Sequence, residues 1–392
     1  MELFRSKRVY LDWASSAPVS RATGRVFLDT LSEYGNPASP HKEGLCARDL
    51  LTGSRTTIAR LAEVKPDGVV FTSGATEANN LALTGTVMAL REKGEKDIHA
   101  LYLPSAHASV IETLRALEKW GVRTEAICIR DGALDLSKFR DQLQPATRLV
   151  VLDAVCGETG TRWDVRGASV ALDAYARESE NSRPLLHVDA SQAPLGLPWS
   201  LTRFGADMVA VDAQKVGGVR GIGALCARSH ARPSPIMRGG GQEGGVRPGT
   251  EPVALAAAFA AALTEVEARR SDFALRAESA REKIVASIMD ELPNVEVNVG
   301  KEGVPHILNL SLLGRDTDYL VMLLDKEGFA AATKSACETD SEQGSRAVLA
   351  LTGTADRAKA TLRVSWGPST SAGELERFAD ALVRAVRFLD RT

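Results

Sequence analysis

Two short apolar runs constrain this chain most, because each carries a charged residue to the end of a buried strand. Leu185-Leu186-His187-Val188 leads into Asp189, and Met208-Val209-Ala210-Val211 leads through Asp212-Ala213-Gln214 to Lys215. Runs of this length read as strands covered on both faces. Lys215 then enters a turn built on Gly217, Gly218, Gly221 and Gly223, where the backbone is tight. A carboxylate and a lysine at the ends of neighbouring strands suit pyridoxal phosphate (PLP). The amine forms a Schiff base, and the acid keeps the pyridine nitrogen protonated so that the ring accepts electrons. The same two residues also suit an ordinary pair of strand ends, and taken alone they leave both readings open.

The 392 residues leave room for two domains. The chain is 44% hydrophobic and 25% charged, as globular enzymes are. Its net charge of −2 argues against a surface for nucleic acid or an anionic membrane. The opening MELFRSKR has no apolar leader segment, and the longest apolar stretch, 252–263, is too short to span a bilayer. Cys46, Cys128, Cys156, Cys226 and Cys337 lie far apart without a CxxC pair, and six histidines are scattered. This argues against a metal site and a disulfide framework, and fits the reducing cytoplasm.

Apolar spacing predicts an alternation of strands and helices. Val9-Tyr10-Leu11 reads as a strand and 35–41 as a loop, followed by a helix to Ala62 with Leu45, Leu50, Ile58 and Leu61 turned inward. Val69–Thr72 is a strand, and Ser73-Gly74 opens the next helix. Free amides there face an anion, or the turn is a plain capped one. Further strands are expected at 100–103, 124–129 and 148–153, with helices at 107–120, 136–143 and 168–176. A long helix over 252–292 changes the character of the chain. After it come strands at 307–312 and 362–366, and helices at 317–327, 344–352 and 371–389. The implied fold is α/β: a large domain, 15–260, with a mainly parallel sheet between helices, and a smaller α+β domain made of 1–14 and 261–392.

Several segments resemble one family in its own order: YLDWASSAPV at 10–19, GNPASPH at 35–41, FTSGATEANNLAL at 71–83, HVDASQ at 187–192, GGGQEGGVRPGT at 239–250, SAC at 335–337 and LRVSWG at 362–367. They resemble the cysteine desulfurases of the NifS/IscS group, in the class V aminotransferase branch of fold-type I PLP-dependent transferases. The resemblance implies a homodimer that removes sulfur from L-cysteine, gives L-alanine, and leaves a persulfide on Cys337 for a protein acceptor. It implies that Lys215 binds the cofactor and moves protons, that Asp189 faces the pyridine nitrogen, and that Gln192 bonds the phenolic oxygen. His107 would stack on the ring. Ala75, Thr76, Gln214 and a Thr250 reaching across the dimer would hold the phosphate, while Arg363 would clamp the substrate carboxylate and Asn36 would also bind substrate.

Three departures from the family stand out. Asp212 and Gln214 replace a serine and a histidine that touch the phosphate, so a carboxylate falls near a dianion unless it turns away or pairs with Arg220 or Arg247. Gly157 replaces an asparagine that contacts the cofactor. Lys334 replaces a glycine before the SAC triplet. Two alternatives remain: a related PLP-dependent lyase or aminotransferase with Cys337 idle, and a non-catalytic PLP-fold subunit of a sulfur-transfer system.

Overall fold

The computed structural model describes residues 8–179, 181–333 and 344–391. Seven strands form its central sheet, in the order Val69–Thr72, Gly223–Ala227, Met208–Asp212, Leu185–Asp189, Thr147–Asp153, Ile98–Tyr102, Val122–Ala126. All neighbours run parallel except Gly223–Ala227, which is antiparallel to both its partners. The interior strands are buried along nearly their whole length, as their unbroken apolar composition requires when helices cover both faces. Parallel strands bring their carboxyl ends to one edge, where ligands bind in open α/β sheets. Asp153, Asp189 and Asp212 each end a strand at that edge.

The helix after the 35–41 loop runs Lys42–Ala62, capped by the His41 side chain. Ile58 and Leu61 point inward as expected, but Leu45 and Leu50 are exposed; the buried face is Gly44, Ala47, Leu51, Ser54 and Ile58. Those positions recur every three or four residues, and the two leucines fall off that stripe. The strand expected over 124–129 splits in two. Val122–Ala126 is the sheet edge, and Ile129–Arg130 pairs with Ala133–Leu134 around Asp131-Gly132. Both turn residues have positive φ, 51° and 69°, the signature of a two-residue hairpin. Helix Arg21–Thr30, capped by Ser20, is an element that the apolar spacing did not predict.

Val253–Glu291 is one helix of 39 residues, and it crosses position 260 without a break. Its alanine-rich start is buried broadly, at Ala256, Ala258, Phe259, Ala260, Ala262 and Leu263. Its second half buries only the stripe Phe273, Ala277, Ala280, Ile284 and Ile288. Beyond it lies a three-stranded antiparallel sheet, Val295–Val297, Ile307–Leu312 and Thr361–Ser365, with helices Thr317–Lys326 and Ala372–Leu389 nearby. The chain's opening segment ties the two sheets together. Leu11 N donates to Ala330 O (2.8 Å) and Ser365 N to Leu11 O (2.8 Å), while Ala17 N donates to Gln214 O (2.7 Å) beside Lys215.

Candidate active site

A cavity of about 250 Å³ opens at the carboxyl edge of the central sheet. Lys215, Asp189, Gln192, Ala75, Thr76, His107, Gln214 and Arg363 all line it, so residues spread over nearly 290 positions meet in one place.

Lys215 follows Met208–Asp212 in a single 3₁₀ turn, Ala213–Lys215. Its Nζ donates to Ala14 O (2.7 Å) and Ser15 O (2.8 Å), both in the opening segment. Burial lowers its pKa from the ordinary lysine value, Asp212 pulls it back, and Arg363 pushes it down further. A buried amine that sheds its proton readily is a better nucleophile and base.

Asp189 is held from two sides. Its Oδ1 accepts from Ser191 N (2.9 Å) and Ser191 Oγ (2.6 Å), and its Oδ2 from Asn79 Nδ2 (2.7 Å). Asn79 is fully buried, and its Nδ2 also donates to Ser109 Oγ (2.9 Å). An amide nitrogen that faces a carboxylate must be the donor end. Asn79 Oδ1 therefore accepts from His187 Nε2 at 2.8 Å, and His187 is neutral, its pKa lowered to about 4 by burial. Asp153 lies opposite Asp189 in the parallel register. Burial and the charge of Asp189 raise its pKa well above the usual carboxylate range, and its Oδ1 has no partner among the described residues. The two carboxyls thus differ: Asp189 is solvated by donors, whereas burial and the neighbouring charge favour the protonated form of Asp153.

Arg363, on Thr361–Ser365, is buried. It donates to Asp12 Oδ1 (2.8 Å), Ser15 Oγ (2.5 Å) and Gly157 O (3.2 Å), but its Nε has no partner among the described residues. A buried donor without an acceptor is costly, and a bound carboxylate would relieve it. His107 caps helix Ala108–Glu118, its Nδ1 accepting from Ser109 N (3.1 Å), and it lines the cavity as well. Gln192 Nε2 donates to Ala14 O (2.9 Å). A Cβ at Gly157 would lie 3.1 Å from Gln192 Nε2, so the missing side chain is the space that Gln192 occupies.

The ring end of this cavity fits PLP: an amine of lowered pKa, an oriented carboxylate, and a guanidinium with a spare donor. The phosphate end is different. Asp212 Oδ2 accepts from Ala75 N (3.0 Å) and Oδ1 from Gln214 N (3.0 Å). Neither Arg220 nor Arg247 neutralises it. Arg247 is paired with Glu77 (2.9 Å), and Arg220 is exposed. Asn36 and Thr250 do not line the cavity of this chain. Both are exposed, and Asn36 Oδ1 accepts from Ala38 N (2.9 Å) within its own loop. Cys337 and Lys334 lie outside the described residues.

The aminotransferase class-V profile matches residues 9–378. The chain belongs to that family. Within it, cysteine desulfurase IscS 1 of Archaeoglobus fulgidus is 30% identical over 375 residues, 95% of each chain. Cysteine desulfurase IscS of Methylobacillus flagellatus is 32% identical over 378 residues, 94% of this chain and 89% of its own. Among solved structures, a NifS-like protein superposes with a TM-score of 0.89 at 24% identity, covering 97% of this chain and 100% of the other. DndA from Streptomyces lividans superposes with a TM-score of 0.75 at 30% identity, covering 90% and 97%. The class-V relatives thus span nearly the whole chain, both sheets included, and the class-V fold is the α/β fold expected.

Asn79, Ser109 and Asp153 are site residues that sequence reasoning missed. Asp153 carries the same signal as Asp189, an acid closing an apolar run. Asn79 sits one helical turn after Ala75, a spacing that puts it on the same helix face, where it is buried behind Asp189.

Proposed function

We propose that this protein is a PLP-dependent cysteine desulfurase that passes sulfur from L-cysteine to Cys337 and onward to a protein acceptor. The observation that carries this reading is the gathering of Lys215, Asp189, His107 and Arg363 around one cavity in a chain whose full-length relatives are named cysteine desulfurases. Lys215 and Asp189 hold the ring end of PLP, and bound PLP supplies the electron sink that lets substrate carbon keep an electron pair. Arg363 orients the substrate carboxylate through its spare Nε–H. Lys215 Nζ takes and returns protons at the substrate, an exchange that its burial-lowered pKa favours. The Cys337 thiolate forms an S–S bond to the substrate sulfur as the C–S bond breaks. The carbon keeps the pair and takes up a proton, so thiolate, cysteine and H⁺ become persulfide and alanine.

The protein is a homodimer in this reading. Leu28, Leu31, Tyr34 and Leu45 expose apolar surface on the first two helices and their connecting loop, and a second copy covers it. Asn36 and Thr250, absent from their own cavity, serve the partner's. No helix among the described residues is long and apolar enough to cross a membrane, and a working thiol suits the cytoplasm.

The test is to incubate purified protein with PLP and L-cysteine and to assay alanine and sulfide, with Cys337→Ala and Lys215→Ala alongside. A desulfurase makes both products, and either substitution abolishes them. Turnover that survives Cys337→Ala assigns the chain to lyase or aminotransferase chemistry instead.

A further inference from the structure

Helix Ala75–Glu92 starts without a local cap: its N-cap is Gly74, which has no side chain to bond the first amides. The cap comes from 137 residues later in the chain, where Asp212 Oδ2 accepts from Ala75 N at 3.0 Å. The contact is built in. Asp212 is buried, a Cβ at Gly74 (φ 156°) would sit 3.2 Å from Asp212 Oδ2, and a Cβ at Gly223, the strand partner of Asp212, would overlap Gly74 Cα at 2.7 Å. The carboxylate also consumes Gln214, whose N and Nε2 both point to it, at 3.0 and 3.4 Å. The amide end of this helix, where an anion gains from the dipole and from free N–H groups, already carries one. Of the donors at that end, Ala75 N and both nitrogens of Gln214 are bonded to it. Arg247, the cation of the neighbouring loop, is bound to Glu77 instead.

We propose that Asp212 is an internal substitute for the cofactor's phosphate, and that it sets this site's selectivity against a dianionic 5′-phosphate while leaving the ring end open. The inference rests on the PLP reading of the cavity. A phosphate entering here meets a like charge and finds three of its donors taken, so the protein binds PLP weakly for its family. The unphosphorylated aldehyde, pyridoxal, meets neither obstacle.

The experiment titrates PLP and pyridoxal separately into purified full-length protein, following the absorbance of the lysine adduct. Borohydride reduction and mass spectrometry then locate the adduct. Wild type is compared with Asp212→Ser and the isosteric Asp212→Asn, with circular dichroism checking the fold and Lys215→Ala as the null. Removing the like charge is expected to tighten PLP at least about 10-fold in both variants, while pyridoxal changes by less than about 3-fold. Equal or weaker PLP binding in both folded variants overturns the proposal while the PLP reading stands. An equal gain for pyridoxal also overturns it, since the effect is then not on the phosphate. If neither aldehyde labels Lys215 in any variant, the PLP reading itself fails, and the proposal with it.

Discussion

Replacing Asn79 with alanine tests how the site's acid is held. Three hydrogen bonds vanish at a fully buried position: to Asp189 Oδ2 (2.7 Å), to Ser109 Oγ (2.9 Å) and from His187 Nε2 (2.8 Å). The first is charge-assisted, worth about 1.5–3 kcal/mol, and the buried His187 N–H left without an acceptor costs about 1–3 kcal/mol more. With the Ser109 bond included and some relaxation allowed, Asn79→Ala should lose about 3–5 kcal/mol of stability. Urea unfolding measures this as a lower midpoint at unchanged slope. Asn79→Asp makes the sharper test, because it turns a donor into an acceptor facing a carboxylate. The new acid's pKa is raised in the fold by that like charge. The unfolded chain therefore releases its proton first, and the penalty grows as pH rises above the ordinary carboxylate range. The Ala variant has no such dependence. A loss below about 1 kcal/mol for Asn79→Ala, or an Asp variant milder than Ala at pH 8, would refute the assignment of Asn79 as donor to Asp189.

Other outcomes follow from the same structure. Glu243 is buried and accepts from Arg55 Nη1 and Nη2 (2.7 Å each) and from Phe71 N (2.9 Å). Glu243→Gln leaves the partly hydrated Arg55 unpaired and should cost about 2–3 kcal/mol by urea unfolding. His306 packs against Phe273 with no hydrogen-bond partner among the described residues, and burial lowers its pKa to about 3. Its folded pKa is below its unfolded value, so the unfolded state binds more protons. Stability is then complete above about pH 6.5 and falls as pH drops toward 3, by up to about 1.4 kcal/mol per pH unit. His306→Phe should remove one proton's worth of that slope, which unfolding measured between pH 4 and 7 will show. Gly157→Asn brings its new Cβ against the Gln192 side chain, 3.1 Å from Nε2 and 3.4 Å from Cγ. It should cost less than about 1 kcal/mol in thermal stability while displacing Gln192 from Ala14 O, a shift visible in a crystal structure.

What could be read from sequence divides along a physical line. Strand ends, the alanine-rich helix and two of the three strands of the smaller sheet carry their signal locally, in periodicity and in runs, and they form close to where spacing placed them, while Val295–Val297 was not predicted. Lys215 and Asp189 were legible because an ionisable group that closes an apolar run is conspicuous. The resemblance supplied His107, Gln192 and Arg363, which no spacing indicates. The destination of Asp212 was not legible, since nothing near it in sequence says that it caps a helix 137 residues away. The free amides at Ala75 were legible, but not that a protein carboxylate reaches them. Leu45 and Leu50 misled for a related reason: side-chain type alone does not tell which stripe of a helix meets the core.

The opening segment has a temporal consequence. Residues 9–17 are made long before their partners Ala330 and Ser365, and the carbonyls that hold Lys215 belong to Ala14 and Ser15. The segment that clamps the lysine is pinned from both sides only once residues 330 and 365 have joined it. Contacts of such long separation form late and slowly. A nascent or truncated chain can therefore complete its seven-stranded sheet while its amine stays unclamped. A deletion that removes the strand holding Ser365 is therefore felt at residues 9–17, far away in sequence.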